Sequence, residues 1–102
     1  MEPISLIYTT FATQDDALGV LNKLIKEKIA TCGNISLPHL AVYPWKGKIQ
    51  QEQEVALYIK APEANHERLI ERLRALHPYE LPCILAIEAG AIPEYAQWLE
   101  KP

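Results

Sequence analysis

What the sequence lacks excludes more than its composition suggests. Its two cysteines, Cys32 and Cys83, stand far apart with no C-x-x-C spacing, so neither a disulfide framework nor a zinc knuckle is signalled. Basic charge is scarce: the formal net charge is −3, and Arg68, Arg72 and Arg74 all fall on one short stretch. Phosphate binding needs a clustered basic excess, so no nucleic-acid partner is expected. No apolar run approaches the roughly 20 residues of a membrane span, so no membrane partner is expected either. The opening MEPISLIYTTF has no basic n-region and carries Glu2 and Pro3 ahead of its apolar run. It does not read as a secretory signal, which makes the cytoplasm the expected compartment and both cysteines free thiols. There is no G-x-S-x-G, no Ser/His/Asp order and no thiol with an adjacent base, so an enzyme is not expected.

What is present is the make-up of an ordinary globular protein, with 49% hydrophobic and 23% charged residues. At 102 residues it is expected to be a single domain spanning residues 1–102. Residues 4–10, ISLIYTT, are rich in β-branched and aromatic types and predict a buried strand. Thr13 followed by Gln14, Asp15 and Asp16 resembles a capping box, and Ala17, Leu18, Leu21, Leu24 and Ile25 then recur at helical spacing. An alternating run over 31–35, a loop at SLPH and a second extended run, LAVYPW, lead to a turn at Gly47. Past it, Val55, Leu57 and Ile59 alternate with Glu54, Ala56, Tyr58 and Lys60, which completes a long hairpin. Pro44 cannot donate to a ladder, so its strand belongs at an edge or a bulge. A second helix is predicted over 63–76 with Pro62 as its first residue, then a buried strand over 81–87 and a short helix from Pro93.

Strand, helix, strand, strand, helix, strand is the order of the α+β, ferredoxin-like split βαβ fold, an antiparallel sheet in the order 4-1-3-2, here with an added C-terminal helix. Apolar residues on both sides of several strands imply that the sheet face without helices is buried against another subunit.

The stretch HPYELPCI, residues 77–84, concentrates a histidine, a tyrosine, an acid and a thiol between prolines. One reading makes His77 a helix C-terminal residue, Pro78 a stop and Tyr79 a packed aromatic. The other makes His77, Tyr79 and Glu80 the wall of a cleft, since a loop held between two rigid elements is a common seat of function. Spacing alone leaves both open. Cys32 and Cys83 begin strands at opposite sheet edges and cannot share a metal within one chain. His39 and His66 have no partner at ligand spacing and are read as solvated.

Four stretches, ATCGNI (30–35), YPWKGKIQQEQE (43–54), LYIKA (57–61) and HPYELPCI (77–84), together with the terminal YAQWL, resemble the signature blocks of the CutA divalent-cation tolerance proteins, in the same order. The resemblance covers essentially the whole chain. It implies a homotrimer whose hairpins extend each sheet across its neighbour, similar to the PII signalling proteins with their effector clefts between subunits. It also implies a role in tolerance of divalent metals, copper especially, with a bound copper or other divalent ion in some members and no organic cofactor. Carried onto this chain, it makes Tyr43, Trp45, Lys46, Glu54, Lys60, His77, Tyr79 and Glu80 the walls of an intersubunit cleft for a metal or a small effector. Cys32 and Cys83 are the candidate metal ligands. Gly33 stands where the family usually has valine and Cys83 where it usually has glutamate, which exchanges a hard donor for a softer one suited to Cu(I) or zinc.

Overall fold

The computed structural model describes residues 1–102. Its elements are β1 (Glu2–Phe11), α1 (Gln14–Lys26), β2 (Cys32–Ile35), β3 (His39–Trp45), β4 (Lys48–Pro62), a 3-10 turn (Glu63–Asn65), α2 (His66–Leu76), β5 (Ile84–Ala91) and α3 (Pro93–Glu100). The sheet runs β2-β4-β1-β5, with β3 also paired to β4, and every pairing is antiparallel. Taking β2 and β3 as two halves of one strand recovers the expected 4-1-3-2 order.

That strand is divided at Ser36–Pro38. Ile35 pairs with Leu57 and His39 with Glu54, so three residues on one side face two on the other, a bulge that Pro38 suits because it needs no ladder partner. Ser36 repairs the gap: its backbone N–H donates to the Ala56 carbonyl at 2.9 Å, and its hydroxyl accepts from the Ala56 N–H at 2.8 Å. Beyond the bulge β3 and β4 form a ribbon closed by Lys46 and Gly47, both at positive φ (49° and 77°), the geometry of a two-residue primed turn.

The helices form as their patterns predict. Thr13 caps α1, its Oγ1 accepting from the Asp16 N–H at 3.1 Å. Ala17, Val20, Leu21 and Leu24 of α1 and Leu69 and Leu73 of α2 meet Ile7 and Phe11 of β1 and Val55, Leu57 and Ile59 of β4 in one core. Each large side chain buried there is worth about 1.5–3 kcal/mol. Gly33 is required by this packing, since a Cβ would lie 2.9 Å from both Leu21 Cδ1 and the Tyr58 carbonyl.

Two boundaries differ from expectation. Pro62 ends β4 rather than opening a helix, and a single 3-10 turn precedes α2. The last strand covers 84–91, not 81–87, because Pro82 has no N–H to donate and Leu81 is left exposed, while β1 is long enough to pair as far as Ala91.

Ile4, Leu6, Tyr8 and Thr10 of β1, Ala56, Tyr58 and Lys60 of β4, and Leu85, Ile87 and Ala89 of β5 share the opposite face. α3 covers only one end of it: Leu99 is buried, its carbonyl accepts from Thr31 Oγ1, and Tyr95 lies beside Lys60. The remainder is open, with Tyr58, Leu85, Ile87 and Trp98 each between 40% and 51% exposed.

Candidate functional site on the open sheet face

The polar groups of the open face gather at two ends of β4. At the first, Glu54 accepts a hydrogen bond from the Tyr79 hydroxyl at 3.1 Å. Two same-face positions further along β4, past Ala56, Tyr8 and Tyr58 pack edge to face with ring centres 5.3 Å apart. Cys83, exposed at the foot of β5, belongs to the same group. Burial and nearby acidic groups push Tyr79, Tyr8 and Cys83 toward their neutral forms. Burial first, then the Glu54 hydrogen bond, pushes the Tyr79 phenol up to about 12. Burial first, then Cys83, Tyr58 and Glu54, raises Tyr8, and burial followed by Glu54 raises the Cys83 thiol. This end is a patch of phenols and a protonated thiol around one carboxylate.

His77 backs this patch from inside the fold. Only 7% exposed, its ring stacks on Phe11 with centres 4.3 Å apart and planes 11° from parallel. Nε2 lies 2.8 Å from the Thr10 carbonyl, and Nδ1 lies 3.2 Å from the Tyr79 N–H. A carbonyl can only accept and an amide N–H can only donate, so Nε2 carries the hydrogen and Nδ1 is the acceptor. Both nitrogens are committed, which leaves neither free for a metal. Burial lowers the ring's pKa below the ordinary 6.5, against opposing contributions from the Thr10 carbonyl and Glu54. The structure therefore combines the two readings of HPYELPCI: His77 packs inward at the end of α2, and Tyr79 reaches the open face.

The second end holds Lys60, Cys32 and Tyr95. Cys32 pairs with Lys60 across β2 and β4, Cys32 Sγ lies 3.3 Å from the Tyr95 hydroxyl, and Lys60 Nζ sits 5.7 Å from the Tyr95 ring centre. The Cys32 hydrogen bond is the main reason the Tyr95 phenol is raised. Tyr43, Trp45 and Lys46 lie further off on the ribbon, where Lys46 Nζ is 5.9 Å from the Trp45 ring centre. Glu52 beside Tyr43 raises that phenol. Glu80 is exposed.

Within one chain, then, Glu54, His77 and Tyr79 are brought together, Lys60 is not with them, and the hairpin residues stand apart. The thiols are separated as the strand order expects: three interstrand spacings and four residues along β5 put ~20 Å between Cys32 and Cys83. His66 is not simply solvated, because its Nδ1 lies 2.7 Å from the hydroxyl of buried Ser5. Sequence reasoning passed over Tyr8, Tyr58 and Tyr95. The period-two alternation of β4 placed Tyr58 on the side opposite Val55, Leu57 and Ile59, whereas the continuous apolar run of β1 gave no such signal for Tyr8.

Residues 5–102 match the family model described as CutA1 divalent ion tolerance protein. This chain belongs to the CutA family. The divalent-cation tolerance protein CutA of Pyrococcus horikoshii is 39% identical over 95 residues, which is 92% of each chain. Among solved structures, the CutA1 of Ehrlichia chaffeensis superposes with a TM-score of 0.92 at 33% identity, over 97% of this chain and 94% of its own. The periplasmic divalent cation tolerance protein CutA of Archaeoglobus fulgidus superposes with a TM-score of 0.88 at 28% identity, over 96% of each chain. The CutA fold is therefore shared along nearly the whole chain, and it is not tied to one compartment. No helix here is long and apolar enough to cross a membrane.

Proposed function

We propose that this CutA family member is a cytosolic, non-enzymatic homotrimer that contributes to tolerance of divalent metal cations, copper among them, and holds metal weakly between chains. One observation carries the reading: an apolar sheet face that the chain's own helices leave uncovered. Its two free edges are unlike, β5 on one side and β2 with β3 on the other. Copies that join one edge to the other meet head to tail, and such contacts close into a ring when the rotation permits. Three sheets turned face-inward form the smallest such ring, and each copy's apolar face then gains about 25 cal/mol per Å² buried.

The donor chemistry supports weak rather than tight binding. No three His, Cys, Asp or Glu side chains of one chain are grouped to hold a metal. Cys83 and Glu54 at one end, or Cys32 at the other, fall short of the four ligands of a closed zinc site and need water or a neighbouring chain to complete one. The raised thiol of Cys83 must lose its proton to bind, so uptake strengthens with pH.

Native mass spectra with and without Cu(I), Cu(II) and Zn(II) test both halves of the proposal. The expected result is a trimer that takes up copper, with uptake lost in Cys83→Ser or Cys32→Ser. A monomer overturns the assembly, and a trimer that stays metal-free in all three removes direct binding. A second reading, a PII-like sensor, is favoured by the Tyr8, Tyr58, Tyr79 and Glu54 group, which offers phenols and a carboxylate to a small polar effector. A metal-free trimer whose melting temperature rises with such a molecule, and not with metal, would select it.

A further inference from the structure

We infer that His77 is an acid-sensitive latch: its neutral ring holds segment 77–83 against the sheet, and protonation releases Tyr79 from Glu54. The inference concerns the conformation of this segment and stands whatever the open face binds. Its basis is the hydrogen-bond arithmetic of the ring. With Nε2–H donating to the Thr10 carbonyl, the bond from the Tyr79 N–H to Nδ1 exists only while Nδ1 is unprotonated. An imidazolium has a hydrogen on both nitrogens, so Nδ1–H would face the Tyr79 N–H, donor against donor. The ring could keep its bond to Thr10 or its stacking on Phe11, but it could no longer hold the Tyr79 backbone.

Tyr79 is the link to the surface. Its backbone is held by His77, its ring packs against the His77 ring at 4.9 Å, and its hydroxyl reaches Glu54. Between Leu76 and Ile84 no regular structure supports the segment, so these contacts position it.

The charged and titratable surroundings are few. From β4, Glu54 acts on the ring and favours its cation. From β1 only the Thr10 carbonyl and the uncharged Phe11 ring meet it. From its own segment Tyr79 touches it, and Asp16 of α1 and Glu52 of β4 act on Tyr79. α2 contributes the Leu73 carbonyl, which accepts from the His77 N–H, and carries Arg74, exposed, in its last turn. Burial outweighs the single carboxylate, so the ring stays neutral at pH 7 and charges only below the ordinary histidine value.

Heteronuclear NMR of the assembled protein between pH 8 and pH 4.5 reads this directly. At pH 8 the His77 ring nitrogens should show the Nε2–H tautomer. On acidification the ring should titrate below pH 6.5, over about two pH units as a one-proton step requires. The Tyr79 amide and ring signals should shift with the same midpoint while the amides of Ile7, Leu57 and Ile59 stay in place. Glu54→Gln keeps an acceptor for the Tyr79 hydroxyl but removes the charge, so the transition should persist with a lower midpoint. In His77→Gln the transition should vanish, and if that variant fails to fold, the Glu54→Gln result decides alone. Tyr79 signals that ignore the His77 titration, a transition abolished by Glu54→Gln, or core amides that move together with Tyr79 would each overturn the latch.

Discussion

Replacing Tyr79 by phenylalanine removes one oxygen and leaves the ring, which isolates the contact that ties segment 77–83 to the open face. The lost bond runs from a half-buried phenol to the Glu54 carboxylate at 3.1 Å. Hydrogen bonds to charged groups contribute about 1.5–3 kcal/mol, and partial exposure reduces this one to ~1 kcal/mol. Its pH dependence has a definite sign. A tyrosine in the unfolded chain ionises near 10, whereas Tyr79 in the fold resists to about 12. The unfolded state therefore loses its proton first, and the contribution is complete below pH 10 and lost as pH rises through 12. Two units convert to a ceiling of ~2.7 kcal/mol at 1.36 kcal/mol per unit, which solvent screening brings near the same ~1 kcal/mol. Urea unfolding of wild type and Tyr79→Phe at one protein concentration, stepped from pH 8 to pH 11, gives the difference free of the other tyrosines. It should hold near ~1 kcal/mol up to pH 9.5 and shrink above pH 10. Equal stabilities at pH 8, or a gap unchanged at pH 11, would refute the reasoning.

Two further substitutions probe the scaffold beneath the site. Gly33→Ala places a Cβ against Leu21 and the Tyr58 carbonyl and should cost about 1–3 kcal/mol in urea unfolding. Adding Leu21→Ala should make the double variant more stable than the two single losses sum to, since the side-chain clash is then gone. Thr13→Ala leaves the Asp16 N–H without its cap and should lower stability by about 1 kcal/mol with no change in the slope of the unfolding transition, whereas Thr13→Ser should restore most of it.

The fold was legible where period and punctuation agreed. Alternation along Val55–Ile59 separated the two faces of β4 correctly, and the Thr13 cap started α1 where it was expected. The last strand was misplaced because LPCILAI is apolar and continuous, while EAGA at 88–91 has little strand character of its own. That stretch is extended only because β1 is there to pair with it. In the site, the meeting of Tyr79 with Glu54 was foreseen as a contact between chains, and the structure forms it within one. The burial of His77 had no sequence signal at all. A histidine after a helix reads as a dipole partner, and only the position of Phe11 and of the Thr10 carbonyl on a distant strand turns it inward.

The bulge at Ser36–Pro38 works as a phase shifter for everything beyond it. Had the alternation of β2 continued unbroken, the odd-numbered residues of β3 would follow Ile35 toward the helices. The extra residue inverts that parity, so His39, Ala41, Tyr43 and Trp45 stand in line with Glu54 and Glu52 while Leu40 and Val42 turn outward. Ser36 is tied to this role by its side chain, because its hydroxyl takes the hydrogen bond of an Ala56 N–H that the bulge leaves without a ladder partner. Removing one of the residues 36–38 would leave two opposite two, so the bulge would vanish with His39 still opposite Glu54, and the ribbon would keep its faces but lose the extra bend and twist that a bulge imparts.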